Sequence, residues 1–243
     1  MNASTSTSSP IVGLVGLGIM GSAMAPNLLA AGFQVVGFDV SPERMKVFVA
    51  AGGTPATSPQ AVAEAAPIVI TSLPSVAALK AVVLGPQGLT SAQASGRILV
   101  ETSTLPIEDK QAVHDQATGW HMLDCPLSGT GAQAARKDLL VYASGNSAAI
   151  AACEQVFHGF SKAHHDVGAF GNGSRMKFVA NLLVAIHNVA AAEVGAPTPL
   201  FHATAPIYST AMAQGRGTQD TAAVFAVLAD MARLELPTPK ASV

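Results

Sequence analysis

Between Ile11 and Val167, short apolar and β-branched runs alternate with alanine-rich stretches in which apolar residues recur at helical spacing. The runs predict strands at residues 11–15, 34–39, 68–72, 97–101, 121–124, 139–143 and 163–167. The stretches between them predict helices at 19–31, 42–51, 59–65, 75–84, 106–118 and 147–160. Strand alternating with helix is the pattern of an α/β protein with a doubly wound, largely parallel sheet.

After Gly168 the texture changes. Residues 174–193 carry no strand signal and predict one continuous helix about 30 Å long. Residues 195–199 break helicity, and helices are expected to resume at 200–214 and, after a cap at Asp220, at 221–234. Residues 1–10 are Ser/Thr-rich, with neither a positive nor an apolar region, and read as a disordered tail rather than a signal peptide. The expected organisation is a tail at 1–10, a sheet domain at 11–168 and a helical domain at 169–243.

The first predicted strand runs into Gly16, Leu17, Gly18, Ile19, Met20 and Gly21, a G-x-G-x-x-G sequence that opens the first predicted helix. An acid, Asp39, ends the next strand, and this is the full context of a dinucleotide-binding turn in a Rossmann-type domain. Gly16 permits the tight turn, Gly18 lets backbone approach a pyrophosphate, and Gly21 lets the helix pack closely. Exposed amides at the helix start meet the phosphate charge. Asp39 is placed to accept from a ribose 2′-hydroxyl and to repel a 2′-phosphate, which favours NAD over NADP; Arg44, at a helix start, keeps NADP open.

Charge and composition narrow the partner. A formal net charge of −2 with 12% charged residues leaves no basic field for nucleic acid and no polybasic patch for a membrane surface. The longest apolar run, 178–192, is interrupted by Asn181, His187 and Asn188 and is too short and polar to span a bilayer. A small-molecule partner and a cytoplasmic location are expected. Cys125 and Cys153 lack CxxC spacing and read as reduced thiols, His164 and His165 as a strand-end pair facing opposite ways, and no metal site is expected. Trp120 and Phe157 read as core, and Arg175 as facing solvent or a phosphate.

The segment from Leu14 to Leu28, with Met20, Met24 and Asn27 beside its glycines, resembles the signature of the β-hydroxyacid dehydrogenases of the 3-hydroxyisobutyrate dehydrogenase and tartronate semialdehyde reductase type. Ser72, Leu73 and Pro74 are similar to that family's turn beside the cofactor, and Glu101 to Thr104, which includes Ser103, to its D-x-S-T strand end near the nicotinamide. Asp124 to Thr130 resembles its substrate loop D-A-P-V-S-G-G, with Thr130 in place of the second glycine and a hydroxyl in the carboxylate pocket. Lys177 and Asn181 match its catalytic lysine and substrate-binding asparagine. In the family, several further helices precede the segment that resembles 195–201, whereas here Glu193 is followed by Val194 and then that segment. The resemblance therefore implies an internal deletion that removes a second lysine, and a shortened all-α domain after the Rossmann domain.

The resemblance implies hydride transfer between a nicotinamide and a small β-hydroxy acid or its semialdehyde. Such a reaction needs one group to give a proton to the carbonyl oxygen and take it back in oxidation. The residues alone leave Lys177 as either a solvated helix lysine or that acid/base; the resemblance selects the second. Asn181, one helical turn on, is expected to hold substrate beside it. Ser128, Gly129 and Thr130, beyond a strand's carboxyl end, are expected to grip a carboxylate. The other outcome of the deletion is a protein that binds NAD with little or no turnover. Lost helices would also expose apolar faces, so a homodimer through the C-terminal helices, or marginal stability, is expected.

Overall fold

The computed structural model describes residues 9–93 and 95–193, with side chains through Leu182. The expected tail lies outside these residues apart from Ser9 and Pro10; the break at 195–199, the helices at 200–214 and 221–234, and the His187 and Asn188 side chains lie outside them entirely. The chain divides into two compact units, Met1–Val179 and Ala180–Val243.

The first unit opens with β1 (Ile11–Val15), α1 (Ile19–Ala30), β2 (Gln34–Phe38), α2 (Pro42–Ala50), β3 (Thr54–Pro55), α3 (Pro59–Ala65), β4 (Ile68–Thr71), α4 (Val76–Leu84), a 3-10 turn at Leu89–Ser91, β5 (Arg97–Glu101), α5 (Ile107–Gln116) and β6 (Trp120–Asp124). These six strands form one sheet, all parallel, in the order β3-β2-β1-β4-β5-β6. Val12 and Leu14 of β1 and Val69 and Ile70 of β4 are fully buried, as continuous apolar runs are when helices cover both faces of a parallel sheet. One covering layer packs Met24, Leu28, Phe157 and Phe160, the other Val62, Leu79, Val83 and Val113. Helices α2, α3 and α4 start where Ser41, Ser58 and Ser75 accept from the amides of Arg44, Ala61 and Ala78, with Pro42 and Pro59 at the first helical position of the first two. Strand order reverses between β1 and β4, so the crevice beyond their carboxyl ends is where a ligand enters such a sheet.

The chain then forms β7 (Leu127–Ser128), α6 (Gly131–Ala135), β8 (Leu140–Ala143), α7 (Ser147–Ala152), α8 (Glu154–Phe160), β9 (Ala163–Asp166) and α9 (Asn172–Glu193). Two expectations are corrected. The strands predicted at 139–143 and 163–167 do not extend the main sheet; they form a second sheet, β7-β8-β9, whose first pair is antiparallel. Pro126, following β6, has no N–H to continue a ladder, and the chain leaves the main sheet there. The helix predicted at 147–160 is two helices meeting at Cys153, whose amide is shared between the Ala149 and Ile150 carbonyls in a tightened last turn. Among the described residues no helix is long and apolar enough to cross a membrane.

Candidate functional site

The glycine turn is built by close approach. Gly16 has φ +93°, and a Cβ there would collide with the Ser72 carbonyl at the end of β4; a Cβ on Gly21 would collide with the carbonyl of Gly16 itself. A Cβ on Gly18 would meet nothing within 4 Å, so the missing side chain leaves open space at the head of α1. Gly18 is the N-cap of α1 and offers no side-chain cap, which leaves amides of the first turn for an outside acceptor. A hollow of about 420 Å³ opens there, lined by Leu17, Gly18, Ile19, Ser22, Arg44 and Val47 among others. Ile19 is exposed at its mouth.

Asp39 stands just past β2, 8% exposed. Its carboxylate accepts from the Leu17 amide at 2.7 Å and the Ser41 amide at 2.8 Å, and Arg44, half exposed, approaches at 3.4 Å. A carboxylate has about four acceptor directions, so this one ties the glycine turn to β2 and keeps one direction for a ribose hydroxyl. The residues fit a dinucleotide: open helix amides for the pyrophosphate and an acid for the ribose.

Across the crevice, Leu73 touches the position a Gly16 side chain would take, and its amide donates to Ser103 Oγ at 2.8 Å. Ser103 is buried; its amide donates to Glu101 Oε1 at 2.9 Å, so the ends of β4 and β5 are joined. Pro74 is exposed at the rim. A third edge is the loop after β6. Ser128 is half-buried, while Gly129 and Thr130 are exposed. The Thr130 hydroxyl accepts from the Gln133 amide and the Gln133 side chain returns to the Thr130 amide, a capping box that starts α6. Helix α6 packs on α1: Asn27 Nδ2 donates to the Ala134 carbonyl at 2.8 Å, and Gly131 abuts Ile19. The Ser128–Thr130 loop therefore stands next to the dinucleotide turn.

Lys177 lies in the second turn of α9 and is half-buried. Burial pushes its amine below the ordinary lysine value. Its neighbour Phe178 lines a hollow of about 460 Å³ with Thr104, Leu105, Pro106, Ile107 and Glu108, the segment that follows Ser103. Asn181 is exposed on α9, within the second compact unit. Arg175 is exposed and donates to Asn172 Oδ1 at 3.1 Å.

The lysine at the polar centre beneath these loops had no place in the sequence reading. Lys110 of α5 is 1% exposed and contacts Glu101 and Asp124, both 0% exposed, at 2.5 Å each. Glu101 and Asp124 are register partners at the ends of β5 and β6. Burial alone would lower the Lys110 ammonium, but the two carboxylates outweigh it and hold it above its ordinary value. The signal was present: Lys110, Val113 and Ala117 recur at helical spacing on one buried stripe, with a charge in the place of an apolar residue. The thiols are inert by comparison. Burial holds Cys125 well above its usual value and pushes Cys153 up to about 12. Among the described residues no group of three or more His, Cys, Asp or Glu is arranged to hold a metal ion.

Comparison with known proteins agrees with this geometry. The profile described as the NAD binding domain of 6-phosphogluconate dehydrogenase matches residues 11–171. The chain is 34% identical over 185 residues to the L-threonate dehydrogenase of Cupriavidus necator, a match covering 75% of this chain and 62% of that protein. It is 35% identical over 185 residues to the mitochondrial 3-hydroxyisobutyrate dehydrogenase of Mus musculus, covering 75% of this chain and 55% of that one. Among solved structures, it is similar to the Mycobacterium tuberculosis 3-hydroxyisobutyrate dehydrogenase with L-serine, at a TM-score of 0.72 and 25% identity, covering 91% of this chain and 70% of the other. The chain thus spans less than two thirds of the length of these curated relatives.

Proposed function

We propose, from the premise that this chain belongs to the β-hydroxyacid dehydrogenase family through the NAD-binding domain of 6-phosphogluconate dehydrogenase, that it is an NAD-dependent oxidoreductase of small β-hydroxy acids or their semialdehydes. The observation that carries the reading is the open, side-chain-free head of α1 at Gly18, with Asp39 at the end of the next strand.

The proposed cofactor contacts are Gly16, Leu17, Gly18, Ile19, Met20, Gly21, Asp39, Leu73, Pro74 and Ser103. When bound, the nicotinamide supplies or accepts a hydride at the carbon that carries the reacting oxygen. Lys177, as the ammonium, gives its proton to the oxygen that gains charge in reduction; as the amine, it takes the hydroxyl proton in oxidation. The downward shift of Lys177 supports this role, since it enlarges the amine fraction near neutral pH. Ser128, Gly129, Thr130 and Asn181 are the proposed substrate contacts. Because the Thr130 hydroxyl already caps α6, what Thr130 offers a carboxylate is shape.

The same reading takes the protein to act in the cytoplasm as a homodimer. Exposed Met176, Phe178 and Val179 on α9 support association, which sedimentation tests. The function itself is tested by steady-state turnover on short hydroxy acids and semialdehydes with either nicotinamide dinucleotide, beside Lys177→Ala. Turnover abolished by the substitution supports the reading, and an unaltered rate removes Lys177 from it. Tight NADH binding with no turnover on any substrate would select a cofactor-binding protein instead.

A further inference from the structure

We infer that Lys110 is a positioning residue for Lys177: with Glu101 and Asp124 it joins the nicotinamide-side loop to the first turn of α9 and so fixes where the proposed acid/base stands. The inference rests on the dehydrogenase reading above.

The chain of bonds is continuous. Leu73 N donates to Ser103 Oγ and Ser103 N to Glu101 Oε1. Lys110 Nζ contacts Glu101 Oε2 and donates to the Ser103 carbonyl at 3.0 Å and to Asp124 Oδ1 at 2.5 Å. Two of the three ammonium protons go to the Ser103 carbonyl and Asp124 Oδ1, while Glu101 Oε2 neutralises the charge as an ion-pair partner without a hydrogen bond of its own. The group is 1% exposed, out of reach of a substrate, so Lys110 acts through its neighbours and not on the reacting atoms.

Asp124 carries the link onward. Its Oδ1 accepts from Ser174 Oγ and its Oδ2 from Ser174 N, both at 2.8 Å. Ser144 Oγ accepts from Gly173 N at 2.9 Å and donates to the Asp124 carbonyl at 3.0 Å. Gly173 has no room for a side chain, since a Cβ would strike the carbonyls of Tyr142 and Asp124. Two carboxylates and one ammonium leave one negative charge, and it faces the amides and positive end of α9. Lys177 follows Ser174 by three residues, on the same side of the helix and about 4.5 Å along it.

Burying three charges is costly, and an apolar trio fills space more cheaply. What an apolar trio lacks is direction. The ion pairs with Lys110 fix the Asp124 carboxylate, and the Ser174 hydrogen bonds set the first turn of α9 on it, beside the elements that also set Ser103.

Lys110→Met interrupts the link at its centre; Ser144→Ala with Ser174→Ala interrupts it at the helix while leaving the buried ion cluster whole. Each full-length variant is compared with wild type in NADH affinity, kcat and KM, and in the Lys177 amine pKa from the pH dependence of its acylation. A misplacement of about 1 Å costs on the order of 10²-fold in rate. The double variant is therefore expected to lose at least about tenfold in kcat, with NADH affinity within about twofold of wild type and the Lys177 pKa returned toward its ordinary value. A folded double variant with kcat and Lys177 pKa both unchanged would overturn the inference, whatever becomes of Lys110→Met. Absence of turnover in wild type would instead refute the dehydrogenase reading, and the Lys177 comparison would still decide the positioning role.

Discussion

Replacing Lys110 with Met keeps an unbranched side chain, one atom shorter, and removes its charge, leaving Glu101 and Asp124 facing each other in a site where neither is exposed to solvent. Breaking a buried ion pair costs about 3–5 kcal/mol. The loss does not double, because Glu101 keeps the Ser103 amide and Asp124 keeps both donors of Ser174. Against a typical stability of about 5–15 kcal/mol, this is a large fraction. At about 2–4 °C per kcal/mol for a chain of this size, melting should fall by roughly 6–20 °C, read by far-UV circular dichroism. The pH dependence gives the loss a signature. In wild type the Lys110 pKa is raised on folding, so its contribution is whole below the ordinary lysine value and is lost as pH rises through the folded one. The variant lacks that alkaline loss. A variant that melts within about 2 °C of wild type at neutral pH, with a gap that does not change with pH, would refute the reasoning.

Gly21→Ala ordinarily gains about 0.5–1 kcal/mol of helix propensity, yet here the new Cβ meets the Gly16 carbonyl. Melting should therefore fall, and NADH affinity should drop at least about tenfold, the equivalent of 1.4 kcal/mol, in a fluorescence titration. Asp39→Asn removes the charge that repels a 2′-phosphate and frees Arg44 from its partner. The NADP-to-NAD ratio of kcat/KM should rise by about tenfold or more, in line with about 1.5–3 kcal/mol for a charged hydrogen bond. Because burial lowers the Lys177 pKa, kcat/KM for oxidation should rise with pH through a value below the free-lysine value of about 10.4, and Lys177→Arg should abolish that limb.

The Rossmann half of the fold was legible because its central strands are apolar on both faces and the stretches between them repeat apolar residues at helical spacing. Strands β1 and β5 and helix α3 fall at the expected residues. The second sheet was not legible. Strand β7 is two residues long, too short for a period, and its antiparallel pairing with β8 is set by where Pro126 turns the chain. Asp39 and the glycine turn could be read from spacing because their chemistry is local. Lys110 showed only as a charge on an apolar helical stripe, since its meaning depends on Glu101 and Asp124 being register neighbours and on Ser174 arriving fifty residues later. Glu101 was visible only as a departure from a family aspartate; its partner explains why a carboxylate stands there.

In the proposed function the Lys177 amine and a nicotinamide held beyond the glycine turn share one crevice. A crystal structure of the NADH complex tests it directly. The amine is expected to face the hydride-bearing ring carbon across a gap that one reacting C–O group fills, with roughly 3 Å between amine and oxygen. An amine that opens onto a different surface from the ring, in the monomer and in any dimer, would contradict the account.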